Sequence, residues 1–361
     1  MRDCKSPQPL FEKELCISSI DPKKSEILRR RRLLKDDKTT FSCHSERSEE
    51  SLFSDFSTYA KHPLPRRGLG GFDFLFGFQK NLLMKTILTN LFIGFFLILP
   101  AEAFLVDGLK TPQSFIVDPA LGNYFISNIN GNPVSRDNNG FIMKIDASGK
   151  PLLSIRGGSP QITLHAPDGL ALKGNHLYVT DIDSVRWFDK NNGKPLGHID
   201  FTGIGVKRLR GLAFDGEGNL YVSDVLANAI YKIETGNGHR ISIFKKDNRL
   251  GNPSGMVYDT VRKRLIVVTR ATGEILAVGV DGKIAPVIQK TFKNLHGIDW
   301  GREGDLVVSD ESAGKIYRIK KFSRTEIVRE NILTPAGISF DYARNLILVP
   351  SSKGNIAFTI P

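Results

Sequence analysis

Two recurring positions in residues 104–361 carry the side chains best suited to chemistry. Directly before a small anchor residue stand Gln113, Asp168, Arg210, Ser254, His296 and Ala336, and at the ends of the apolar runs that follow stand Asn128, Asp181, Asp224, Arg270, Asp310 and Ser351. Arginine presents two parallel N–H donors to a carboxylate or phosphate and keeps its charge throughout the useful pH range. Arg210 and Arg270 are therefore candidates to hold an anion, with His296 beside them and Asp168 orienting Arg210 or a bound water. A structural role competes with this one, because Asp181, Asp224 and Asp310 end strands. Carboxylates there accept turn N–H groups, and these three could pair with Arg210 and Arg270.

Other chemistries are excluded by what is missing. Cys4, Cys16 and Cys43 are the only cysteines and all precede residue 104, so the rest of the chain has no thiol nucleophile and no thiolate ligand for zinc. It also lacks a Gly-x-Ser-x-Gly elbow and a phosphate-cradling glycine loop. Among His165, His176, His198, His239 and His296, only His165 and His296 lie near the starts of expected inner strands. That is too few for zinc, which asks for three protein ligands. The weak metal candidates reduce to Asp168 and His296, and no cofactor is expected.

The elements that must position these residues come from a repeat. Pro167-Asp168-Gly169-Leu170-Ala171 is followed by Leu177-Tyr178-Val179-Thr180-Asp181, and Arg210-Gly211-Leu212-Ala213-Phe214-Asp215 by Leu220-Tyr221-Val222-Ser223-Asp224. Comparable pairs begin at Pro253, His296 and Pro335, with a degenerate first copy at Pro112. The anchors Gly169, Gly211, Gly255, Gly297 and Gly337 are spaced by 42, 44, 42 and 40 residues. That period suits four short strands per unit, and two alternating runs follow each pair, as in Ala229-Ile230-Tyr231-Lys232-Ile233. Six such units predict an all-β fold, a six-bladed β-propeller of four-stranded blades. The last unit supplies only three strands, so residues 104–109 are expected to complete it beside 355–360 and leave no open sheet edge. An insertion at 129–139 lengthens the first spacing to 55 residues. It should overhang the same mouth and offer Arg136 and Asp137, since binding residues concentrate on long loops. Residues 182–189 read as third-strand packing.

The motifs Pro-Asp-Gly-Leu-Ala at 167–171 and Gly-Asn-Leu-Tyr-Val-Ser-Asp at 218–224 resemble NHL-repeat propellers and the senescence-marker-protein/gluconolactonase family. The resemblance spans 104–361. It implies a divalent cation, usually calcium, held at one channel mouth by a Glu, an Asn and an Asp from the pre-anchor positions of three blades. Here only Asp168 is a carboxylate among those six positions, with Gln113, Ser254 and His296 at plausible equivalents. Hard cations want several oxygen ligands, so the usual triad is absent.

Upstream, residues 1–83 carry the basic run 29–32 and no sustained strand or helix period, and read as a disordered or spurious leader. Residues 84–103 read as a secretory signal peptide: Met84-Lys85-Thr86, an apolar core, and Pro100-Ala101-Glu102-Ala103 with small residues at the cleavage positions. The core is too short for a permanent membrane anchor. The expected location is therefore periplasmic or secreted. The chain carries a formal charge of +12, and 104–361 alone is positive by 8. Export and the scatter of basic residues argue against nucleic acid. The expected function is an exported propeller that binds an anionic small molecule or acidic peptide at its loop-rich mouth. A metal-assisted lactone or ester hydrolase of the gluconolactonase type is the alternative.

Overall fold

A computed structural model describes residues 103–361. The leader (1–83), its cysteines and the signal segment up to residue 102 lie outside the described residues. Six four-stranded antiparallel sheets follow one another round a ring, and the helical content among the described residues is three short 3-10 turns. The expected six-bladed propeller is therefore the fold. The innermost strands are Pro112–Asp118, Pro167–Lys173, Leu209–Phe214, Pro253–Asp259, Leu295–Trp300 and Ser339–Asp341, in blades one to six.

Ring closure follows the expected route. Blade six contributes Ser339–Asp341, Leu346–Ser351 and Ile356–Ile360, and its fourth strand is Leu105–Val106, with Leu105 opposite Phe358 and Val106 opposite Ala357. Phe104 continues the seam, since its N–H donates to Thr359 Oγ1 at 3.0 Å and its carbonyl accepts from Thr359 N at 3.1 Å.

The core lies between blades. Strand alternation sends successive side chains to opposite sheet faces, so each blade feeds two neighbours. In blade three, Leu220, Val222 and Tyr231 pack toward Tyr178 and Val185 of blade two, while Tyr221 and Ile230 pack toward Met256 and Val267 of blade four. Six such clusters, one per junction, make the ring a closed stack of sheets.

The anchor glycines have a steric cause. A Cβ on Gly169 would lie 2.1 Å from the Arg210 carbonyl oxygen, and one on Gly211 would lie 2.2 Å from that of Ser254. Neighbouring inner strands converge on the axis, and only hydrogen at these positions lets them approach. The Ser or Thr one residue before the end of the second strand completes the junction. Thr180 Oγ1 accepts from Gly169 N at 2.9 Å and donates to Arg210 O at 2.8 Å, and Ser223 and Ser309 do the same for Gly211 and Gly297. Blade four departs from this pattern. Thr269 turns its hydroxyl to Thr272 and to the Glu274 carbonyl, so the junction beside His296 lacks the relay.

Candidate functional site

The inner strands surround a cavity of about 320 Å³. Gln113, Asp168, Arg210 and His296 line one end of it, placed there because each sits at the start of an inner strand, just before its anchor. The pre-anchor positions thus do share one mouth. Ser254 and Ala336 occupy the same level of the ring, and their neighbours Gly255 and Gly337 are in the wall.

Two guanidinium groups meet at Asp168. Arg210 Nε lies 3.1 Å and Arg208 Nη2 3.3 Å from Asp168 Oδ2. Burial alone would push the Asp168 carboxyl up, but the two guanidinium charges outweigh it and hold the group below the ordinary carboxylate range. Arg210 is fully enclosed, and burial brings it down to about 10 against the attraction of Asp168, so it remains charged near neutrality. On the other side, Arg270 reaches Glu311 Oε2 at 2.5 Å and His296 Nδ1 at 3.4 Å. Burial first, then the Arg210 charge, lowers His296 to about 4, so the ring is neutral. His296 Nδ1 lies 3.4 Å from both Arg270 Nη1, which can only donate, and Glu311 Oε2, which can only accept. Because Arg270 already engages that Glu311 oxygen, we assign Nδ1 as the acceptor from Arg270 and the ring hydrogen to Nε2. Burial would raise Glu311, but the Arg270 guanidinium paired with it outweighs this and holds it well below its usual range.

The mouth is electrically and sterically incomplete. Arg210 Nη1, His296 Nε2 and Ser254 Oγ are buried and have no hydrogen-bond partner among the described residues. Buried polar atoms are nearly always partnered, and an orphan costs about 1–3 kcal/mol. Three arginines stand against two carboxylates here, so the local charge is positive. Asp168, the carboxylate nearest Arg210, is already engaged by two guanidinium groups, and a cation would have to displace them. Free donors beside a net positive charge are groups that could receive an acceptor-rich anion.

The remaining candidate residues are placed elsewhere. Asp181 accepts from the N–H groups of His165 and Ala166 and pairs with Arg186. Asp224 accepts from Lys207, Arg208, Leu226 and Ala227 N–H, and Asp310 from Lys293, Asn294 and Ala313 N–H. Asn128 caps Lys110 N in the same way. These residues hold loops, although their expected pairing with Arg210 and Arg270 does not occur. Blade four has Arg270 where blades one, two, three and five have Asp or Asn and blade six has Ser351, which frees that side chain to enter the site. Gln113 donates to Ser352 Oγ at 2.8 Å and to the Thr111 and Pro112 carbonyls, bracing the closing junction. The insertion packs onto blade two through Ile129, Ala166 and Ile182. Its Arg136 pairs with Asp183 and Asp137 is exposed, so neither is brought to Asp168 or Arg210.

Sequence reasoning missed Arg208, Glu311 and Asp299. Asp299 lines the cavity toward its other end and accepts from Trp300 N and Phe340 N, both at 2.8 Å. Burial raises its carboxyl to about 6 against those two bonds.

A family model described as SdiA-regulated matches residues 238–347. No curated protein matches the chain. Among solved structures, a structural-genomics protein of unknown function from Bacteroides thetaiotaomicron is similar at 11% identity and TM-score 0.55, over 70% of this chain and 69% of that one. A streptogramin B lyase is similar at 13% identity and TM-score 0.50, over 72% and 97%. A catalytically inactive variant of virginiamycin B lyase from Staphylococcus aureus, solved with quinupristin, has 19% identity and TM-score 0.49, over 72% and 99%. At such identities the likeness is one of architecture, and activity does not travel with it. By its own six sheets, and in keeping with the first two of these likenesses, the chain is a six-bladed β-propeller.

Proposed function

We propose that this propeller binds an anionic ligand at the mouth formed by Asp168, Arg208, Arg210, Arg270, His296 and Glu311. The observation that carries this reading is the set of buried, unpartnered atoms, Arg210 Nη1, His296 Nε2 and Ser254 Oγ, within a net positive ring. Asp168 pre-orients Arg210 by taking its Nε, which leaves the terminal nitrogen free for a ligand oxygen. Export to the periplasm or medium belongs to the same proposal and rests on the signal-type segment 84–103. The lactone hydrolase implied by the NHL and gluconolactonase resemblance has less support, since its cation would have to compete with two guanidinium groups for Asp168.

Calorimetric titration of the full chain with acetate and with inorganic phosphate tests the reading. Arg210→Lys keeps the charge opposite Asp168 and loses the forked donor, so affinity should fall about tenfold with little change in Tm. Arg136→Ala should leave affinity unchanged. Wild-type affinity in Arg210→Lys would reject the site.

A further inference from the structure

The cavity continues below the mouth, and its lower wall differs in character. Leu170, Leu212, Met256, Ile298 and Ile338, each the residue after an anchor glycine, form an apolar waist. Phe214, Tyr258 and Trp300 follow where the inner strands end. The positions two residues past the anchor read Ile116, Ala171, Ala213, Val257, Asp299 and Ser339 round the ring. A single carboxyl therefore stands on an otherwise small or apolar level, at the far end from Arg210.

Asp299 has a structural task, tying blade five to blade six through Phe340 N. That task uses one acceptor site on one oxygen and the Trp300 N–H uses one on the other. A carboxylate has about four such sites, so Asp299 keeps acceptor capacity toward the channel. Its partial burial favours a neighbouring hydrogen-bond donor and opposes a second negative charge. The cavity volume, near the lower limit for small-molecule pockets, favours a compact ligand over a peptide.

We propose that the ligand is an amphipathic monocarboxylic acid, with its carboxylate at Arg210 and His296, its apolar body along the waist, and a hydroxyl rather than a second acid group facing Asp299. This rests on the reading of the mouth as an anion site. The channel then measures three things in sequence: charge at the head, apolar length, and the absence of charge at the tail.

The test is calorimetry on the full chain near neutral pH with unbranched monocarboxylates from acetate upward, their ω-hydroxy counterparts and the matching dicarboxylates. Each added methylene should tighten binding roughly fourfold until the waist is filled. The ω-hydroxy acid of optimal length should bind more tightly still, and the dicarboxylate at least tenfold more weakly than the monocarboxylate. Asp299→Asn should relieve that discrimination. Ala171→Leu, which adds bulk to the wall, should abolish the length dependence. Acetate binding without length dependence would overturn the amphipathic ligand alone and leave the mouth standing. Length dependence that survives Ala171→Leu, or equal affinity for mono- and dicarboxylates, would also overturn it. Failure of every acid, acetate included, would overturn the mouth reading and this inference together.

Discussion

Asp168→Ala is expected to destabilise the ring by about 3–5 kcal/mol, because it leaves the enclosed Arg210 without its counter-charge. Arg208 and Arg270 then add repulsion that the carboxylate now offsets. For a domain of this size the loss corresponds to a fall in Tm of roughly 10 °C. Asp168→Asn keeps an acceptor for Arg210 Nε and should cost less. The double variant Asp168→Asn/Arg210→Gln should be more stable than Asp168→Ala, since no buried charge is then stranded. The sign of the pH dependence follows from the depressed Asp168 value. Its stabilisation is present above the unfolded carboxylate pKa and is lost as pH falls through the lower folded one, so the gap between wild type and Asp168→Ala should narrow in acid. A Tm within about 2 °C of wild type near neutrality would show that the pair is not holding the mouth.

Gly211→Ala carries a comparable penalty from a different cause. The added methyl would sit 2.2 Å from the Ser254 carbonyl oxygen and 3.1 Å from Ser223 Oγ. No side chain can turn away to relieve a clash with backbone, so two inner strands must separate. The Ser223 relay, which accepts from Gly211 N and donates to Ser254 O, is then disrupted as well. Overpacking of this kind costs about 1–3 kcal/mol, and more where backbone is involved; a loss of at least roughly 3 kcal/mol is expected in chemical denaturation. Gly216→Ala is the matched control, because a Cβ there meets nothing within 4 Å. Equal denaturation midpoints for the two variants would contradict the convergence of strands as the reason for the glycines.

Why some of this was legible from sequence follows from the same geometry. The anchor glycines repeat because every junction poses the same steric problem, and their spacing of 40 to 44 residues reveals the ring. The strand-ending Asp181, Asp224 and Asp310 repeat for a similar reason, since each must cap the loop entering its blade. Their periodicity marks them as scaffold, and chemistry belongs to the residues that break it. Arg270 breaks it by replacing the capping acid, as His296 and Arg210 do by filling pre-anchor positions with unlike groups. Asp299 could have been found this way, as the one acid on its level. Glu311 and Arg208 could not: Glu311 follows Asp310 in a polar turn and Arg208 precedes its strand, and only the folded ring brings them to His296 and Asp168.

The central claim, an anion seated against Arg210 and His296, is read most directly at the His296 ring. A histidine-resolved NMR titration of the full chain, with the resonance identified by His296→Gln, should give a pKa of about 4 for the free protein. A bound anion supplies the negative charge that the site lacks and favours the imidazolium, so saturating acetate should raise that value by at least about one unit. By linkage, affinity for the acetate anion, counted apart from acetic acid, should then increase as pH falls from neutrality and level off below about 4. An unchanged His296 titration in the presence of bound acetate would place the anion elsewhere and contradict the account.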